Sequence, residues 1–207
     1  MKIGIFGGTF DPPHLGHVKT FTAFYNKFDF DKLYVIPVFT PPHKQIHSKS
    51  TAQDRLNMTR LAFEKISNKV EVSDLEIKRE GKSYTADTIR YFKDTMDCDL
   101  YFLCGTDMLL TFDTWYMPDY IFKNATVVYA RRENDKDNDE KIPAKIAEYK
   151  KKYDARIAQL DVNVIVVSSS QIRKEIDDLG VSNYLTNEVL DFVQKNNLYD
   201  EWLWITT

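Results

Sequence analysis

Apolar, β-rich runs alternate along the chain with segments whose apolar residues recur at helical spacing. The strand-like runs cover residues 2–6, 32–38, 70–72, 100–104, 126–130 and 163–167, and helical patterns fill about 15–28, 52–66, 85–96 and 145–159. Short apolar strands separated by amphipathic helices predict an α/β fold, a Rossmann-like, doubly wound parallel sheet with helices on both faces. Residues 184–199 read as a short closing helix with Val189, Leu190 and Val193 on its inner face. Residues from about 168 onward are then a small C-terminal helical part of a single 207-residue unit. The stretch 133–141, dense in Asp, Asn, Glu and Lys, reads as a solvated loop without chemistry.

In open parallel sheets ligands bind beyond the carboxyl ends of the strands. Unusual residues should therefore follow the strands, and here they do. The first strand runs into Gly7-Gly8-Thr9-Phe10-Asp11-Pro12-Pro13-His14-Leu15-Gly16-His17 and the second into Thr40-Pro41-Pro42-His43-Lys44. The fourth leads to Gly105-Thr106-Asp107, the fifth to Arg131-Arg132, and the sixth to Ser168-Ser169-Ser170-Gln171-Ile172-Arg173. Five strand ends are expected to meet in one crevice.

Charge and cysteine usage narrow the class. The 28 Lys and Arg against 31 Asp and Glu give a net charge of −3, which argues against a general nucleic-acid-binding surface. Cys98 and Cys104 show no metal-ligand spacing, and Cys104 lies in an apolar run, so reduced thiols in the cytosol are expected. The first residues form a strand pattern rather than a signal peptide, and no apolar run approaches membrane-spanning length, so a cytoplasmic protein with no membrane partner is expected.

The chemistry begins with a strand, a Gly-Gly turn and two histidines at a helix start. Backbone N–H groups near Gly7, Gly8 and the helix N-terminus can converge on an anion. His14 and His17, three apart, share one helical face. This suits a polyphosphate whose charge rises during reaction; a plain tight turn with a capping and a solvated histidine is the bland alternative. At the sixth strand end one serine is expected to cap a helix, while Arg173, three residues after Ser170, adds a fixed positive charge to the same helix start. All four histidines fall between positions 14 and 47, but without cysteine or helical zinc spacing no protein-held metal site is expected. Asp107 can accept ribose hydroxyls, and Trp115 and Tyr116 stand beside polar residues.

The residues 7–17 resemble the GGTFDPxHxGH signature of bacterial nicotinate-mononucleotide adenylyltransferases, within the HxGH nucleotidylyltransferase superfamily. The stretch 168–173 resembles the second superfamily signature, SxTxIR, with serine in the threonine position. Pro41-Pro42-His43-Lys44, Ser83-Tyr84-Thr85-Ala86-Asp87-Thr88, Gly105-Thr106-Asp107 and Thr114-Trp115-Tyr116 resemble further elements of the same family, so the likeness runs from Lys2 to about Tyr199.

The resemblance implies attack by the phosphate of nicotinate mononucleotide on the α-phosphate of ATP, giving deamido-NAD and pyrophosphate. His14 and His17 would donate to the phosphates and Lys44 and Arg173 would hold the leaving pyrophosphate, with Mg²⁺ carried mainly by ATP. ATP contacts are implied for Gly7, Gly8, Thr9, Phe10, Gly16, Gly105, Asp107, Arg131, Ser169, Ser170 and Ile172. The mononucleotide is expected at Tyr84, Thr85, Trp115 and Tyr116, with Trp115 stacking on the pyridine ring. Arg131 stands where the family often has an arginine, but the residues after it depart from the pattern, since Arg-Arg-Glu-Asn replaces Arg-Pro-Gly. An adenylyltransferase for nicotinamide mononucleotide or phosphopantetheine, and a nucleotide sensor without turnover, stay open as alternatives. A homodimer is left open as well, as is whether Trp202 and Trp204 pack on the body or on a partner chain.

Overall fold

The computed structural model describes residues 1–42, 48–132, 138, 140–163, 165, 167–176 and 183–199. Six parallel strands run in the order β3-β2-β1-β4-β5-β6: β1 Lys2–Gly8, β2 Lys32–Pro37, β3 Val70–Val72, β4 Asp99–Gly105, β5 Ala125–Arg132 and β6 Ile157–Val162. The chain winds outward from β1 to β3, returns to the middle, and winds outward the other way from β4. That reversal opens a crevice beyond the carboxyl ends of β1 and β4, where neighbouring connections leave on opposite faces.

Both faces of the sheet are buried, so the strands are apolar at successive positions rather than alternating with polar ones. Phe6, Leu33, Val35, Leu103 and Val128 point to one core, with Phe21, Phe24 and Phe63. Ile3, Ile5, Ile36, Phe102 and Val127 point to the other, with Ile89, Phe112 and Phe122. The first core is covered by α1 (Leu15–Lys27) and α2 (Ala52–Phe63); α4 (Thr85–Thr95), α6 (Pro118–Asn124) and α7 (Lys141–Tyr153) cover the second. Short helices α3 (Leu75–Arg79) and α5 (Thr106–Leu110) lie at the crevice, and α8 (Ser169–Lys174) and α9 (Asn187–Lys195) complete the order. Of α9, Val189 and Val193 are buried in the first core, while Leu190 packs against it partly exposed.

Two expected elements are corrected. The last strand is Ile157–Val162, paired with β5 from Val127↔Ile157 to Arg132↔Val162, rather than residues 163–167. The helix expected over 145–159 runs over Lys141–Tyr153 instead and ends where Asp154 takes a left-handed φ of 51°. Ile157-Ala158-Gln159-Leu160-Asp161-Val162 alternates as an edge strand with one wet side, whereas the continuous apolar run after it imitates a buried strand. Helices α3, α5 and α6 have five, five and seven residues, too few for periodicity to announce them.

Arg55, on α2, is 1% exposed and ties the connections after β1 and β2 together. Its guanidinium donates to the carbonyls of Thr9 (3.1 Å), Val38 (2.5 Å) and Phe39 (2.9 Å). Burial lowers its pKa, and the charge of Asp11 works the other way. Arg55→Met is expected to leave those carbonyls without their donor and to cost about 3 kcal/mol or more. Urea denaturation checks this, and an unchanged midpoint would contradict it.

Candidate active site

Two cavities occupy the crevice. The first, about 370 Å³, is walled by Gly7–Phe10, His14, Gly16 and His17 on one side and by Gly105, Asp107 and Ser168–Ser170 on the other. The second, about 240 Å³, is mostly apolar and aromatic, with Ile36, Val38, Pro41, Pro42, Phe102, Trp115 and Tyr116 around Tyr84, Thr85 and a buried Glu76. Gly7, Gly8, Thr9 and Met108 line both, so the end of β1 forms their common wall.

At the start of α1 the two histidines cap each other. The His14 N–H donates to His17 Nδ1 (3.2 Å) and the His17 N–H donates to His14 Nδ1 (3.3 Å). The rings stack with centroids 3.6 Å apart. A ring nitrogen that accepts a backbone N–H carries no proton, so each neutral imidazole holds its proton at Nε2. Both rings line the first cavity. Gly16 is required by this packing, because a Cβ there would stand 2.9 Å from His14 Nδ1 and 3.2 Å from the Ile165 carbonyl.

The turn leading into the pair is tightly built. Phe10 is buried with a left-handed φ of 49°, a conformation a bulky side chain holds only when its surroundings impose it. A Cβ on Gly8 would meet the Phe10 ring at 2.7 Å, so glycine lets that ring fold under the turn. The Asp11–Pro12 peptide is cis. Opposite, Ser168 caps α8 by accepting the Gln171 N–H, Ser169 Oγ donates to the Pro12 carbonyl, and Arg173 Nη2 donates to Ser170 Oγ at 3.2 Å. Arg173 Nη1 donates to the Asp11 carbonyl at 2.6 Å. The two signatures, distant in sequence, are thus bonded directly to each other.

In the second cavity one face of Trp115 stacks on Phe112, with centroids 4.4 Å apart, which fixes the indole against the core. Tyr84 and Tyr116 rings lie 4.6 Å apart, and Tyr116 is exposed. Tyr84 gives α4 no side-chain cap, so the first turn of that helix opens on the cavity at Thr85.

The structure therefore gathers His14, His17, the Gly7–Phe10 turn, Gly16, Gly105, Asp107, Ser169 and Ser170 around one cavity and Tyr84, Thr85, Trp115 and Tyr116 around its neighbour. Arg131 is not gathered with them: it lines a separate depression against α7, with Nη1 4.0 Å from Asp161. The alternation of β5 explains this, since Ala130 faces the first cavity and the next side chain must face the other side. Ile172 is fully buried in the core below the serines. Lys44, His43 and His47 lie outside the described residues, as do Trp202 and Trp204. Sequence reasoning missed Met108, Glu76, Arg55 and the linking role of Asp11. Met108 gave a signal in following directly on the Gly105-Thr106-Asp107 element, and Asp11 in lying within the first signature.

A parallel sheet with this crossover, and a histidine pair and helix N-termini around its crevice, define a nucleotide-binding enzyme core. The cytidylyltransferase-like family profile matches residues 5–175, a range that holds every residue lining either cavity. A Clostridium perfringens protein named probable nicotinate-nucleotide adenylyltransferase is 34% identical over 200 residues, covering 96% of this chain and 98% of its own. A Clostridium botulinum protein of the same name is 36% identical over 197 residues, covering 94% and 97%. The solved Plasmodium falciparum nicotinic acid mononucleotide adenylyltransferase complexed with APC shares the fold, with a TM-score of 0.71 at 21% identity over 96% of this chain and 97% of that one. The chain belongs to the nicotinate-nucleotide adenylyltransferase family of nucleotidyltransferases.

Gly16→Ala tests the histidine packing. The added methyl is expected to push the His14 ring out of its stack, lowering turnover by at least about tenfold, a part of what a lost oxyanion donor costs. The thermal melt should change far less than the rate. Undiminished turnover would contradict the packing argument.

Proposed function

We propose that this chain transfers the adenylyl group of ATP to nicotinate mononucleotide, releasing pyrophosphate and forming deamido-NAD. The observation that carries this reading is the shared wall at Gly7–Thr9, where the cavity bearing the histidine pair, the more polar of the two, meets an aromatic one. ATP fits the first, with its phosphates toward His14, His17 and the N-terminus of α8 and its ribose toward Gly105 and Asp107. The second suits a flat, electron-poor ring: Trp115 supplies a rigid stacking face and the open first turn of α4 faces a carboxylate. The mononucleotide phosphate then arrives at the shared wall beside the α-phosphate.

The attacking oxygen is already anionic, so the reaction needs no nucleophilic side chain. Positioning and charge stabilisation carry it. His14 and His17 donate Nε2–H to phosphate oxygens as charge moves toward the leaving group. Arg173, bonded to Ser170 at the start of α8, and Lys44 on the strength of its motif, hold pyrophosphate. Among the described residues no group of three His, Cys, Asp or Glu side chains could hold a metal. Mg²⁺, carried on ATP, would draw charge from the leaving group. Cys98 and Cys104 are free and buried. No helix among the described residues is long and apolar enough to cross a membrane.

The test is pyrophosphate release with ATP and Mg²⁺, comparing nicotinate mononucleotide, nicotinamide mononucleotide and phosphopantetheine. Preference for nicotinate mononucleotide is expected; release only with phosphopantetheine, or with none, would contradict the reading. His17→Ala is expected to lower turnover by about 10²–10³ while the protein still folds, the usual cost of one such donor. Full activity in that variant would end the mechanism.

A further inference from the structure

Glu76 is an acid of the second cavity that the adenylyl transfer itself does not use. It sits on α3, is 5% exposed, and lines the second cavity together with Ser83, Thr85 and Thr88. Its Oε1 accepts the Thr88 hydroxyl at 2.5 Å, but its buried Oε2 has no hydrogen-bond partner among the described residues. The nearest cation, Arg79, stands 3.9 Å from Oε1 and spends its own N–H groups on Thr88 Oγ1 at 3.4 Å. That is weak compensation for a buried anion. An ionised carboxylate would want donors on both oxygens.

The groups around it are Arg79 on its own helix, Asp87 and Thr88 on α4, and Ser83 in the connection between them. Ser83 Oγ in turn accepts the Phe39 N–H at 2.9 Å. Asp87 accepts a hydrogen bond from Arg90 at 2.8 Å. Burial pushes the Glu76 carboxyl above the ordinary carboxylate value, against the pull of Thr88, Ser83 and Arg79, with Asp87 adding to the rise.

We propose that Glu76 is a specificity-determining residue of the ring pocket, admitting a ring that bears a carboxylate while its own carboxyl is neutral and favouring an amide-bearing ring once it is ionised. The inference rests on the reading that this cavity receives the pyridine ring. A carboxylate substituent on that ring would enter a small apolar pocket holding Glu76. Two anions there repel strongly at low dielectric, whereas a neutral carboxyl does not, and an ionised Glu76 attracts an amide N–H instead.

The experiment is the ratio of kcat/KM for nicotinate over nicotinamide mononucleotide, followed from neutral to alkaline pH in the wild type and in Glu76→Gln. Because both substrates share the phosphate, ATP and Mg²⁺, their titrations cancel in the ratio. In the wild type the ratio is expected to fall by at least about tenfold as Glu76 ionises. In Glu76→Gln, a permanently neutral mimic, it should stay high and flat. An infrared difference spectrum of the wild type against the variant at neutral pH should show a protonated carboxyl band, a readout that does not depend on the variant's activity. A pH-independent ratio in the wild type, a variant that tracks the wild type, or absence of that band would overturn the proposal. Failure to use either pyridine nucleotide would instead strike the functional reading itself.

Discussion

Asp11 is a buried anion, 3% exposed, and the site is assembled around the effort of satisfying it. Its carboxylate accepts hydroxyl hydrogen bonds from Ser48 (2.6 Å), Ser50 (2.5 Å) and Tyr199 (2.7 Å), and Arg173 Nη1 stands 3.6 Å from Oδ2. A carboxylate out of water is tolerable only when paired and fully hydrogen-bonded. The donors come from three places far apart in sequence: the approach to α2, α8, and the turn after α9. Folding the signature turn therefore recruits the chain's later elements to it. Burial and the Asp11 charge together raise the Tyr199 pKa, so that hydroxyl stays a donor.

Around this anchor the sheet sets distances and the loops set chemistry. The crossover between β1 and β4 leaves a gap at the ends of both strands, where Gly8 and Gly105 stand. Arg55 holds the connections after β1 and β2 on one side, and the serines of α8 are bonded to Pro12 on the other. The backbone at the start of α1 then fixes the orientation and the tautomer of the histidine rings. Donors fixed in this way need no reorganisation when charge develops on a phosphate.

Much of this could be read from the sequence where local pattern and chemistry coincide. Strands β1 to β5, the helix starts at Leu15, Ala52 and Thr85, and the gathering of residues 7–17 with 168–170 all follow from apolar runs and strand-end motifs. The rest depends on contacts that local pattern does not encode. Strand β6 is an edge strand with polar residues at alternate positions, beside a more apolar run that reads as the better strand. Arg131 sits on a strand whose pleat sends it to the far face. Arg55 and Glu76 look like ordinary polar residues of amphipathic helices; only the tertiary fold buries them. Asp11 was visible as a signature residue, but its partners at 48, 50 and 199 belong to no motif, and its pairing with Arg173 of the second signature exists only in the fold.

The central claim is that the backbone of α1 locks both signature histidines as Nε2–H donors facing the ATP phosphates. Nitrogen-15 NMR of the histidine rings tests this most directly. The expected result is a protonated Nε2 and a bare Nδ1 for His14 and His17, with both resonances moving when ATP is added and staying nearly still with nicotinate mononucleotide alone. A proton on Nδ1 of either ring, or resonances indifferent to ATP, would contradict the account.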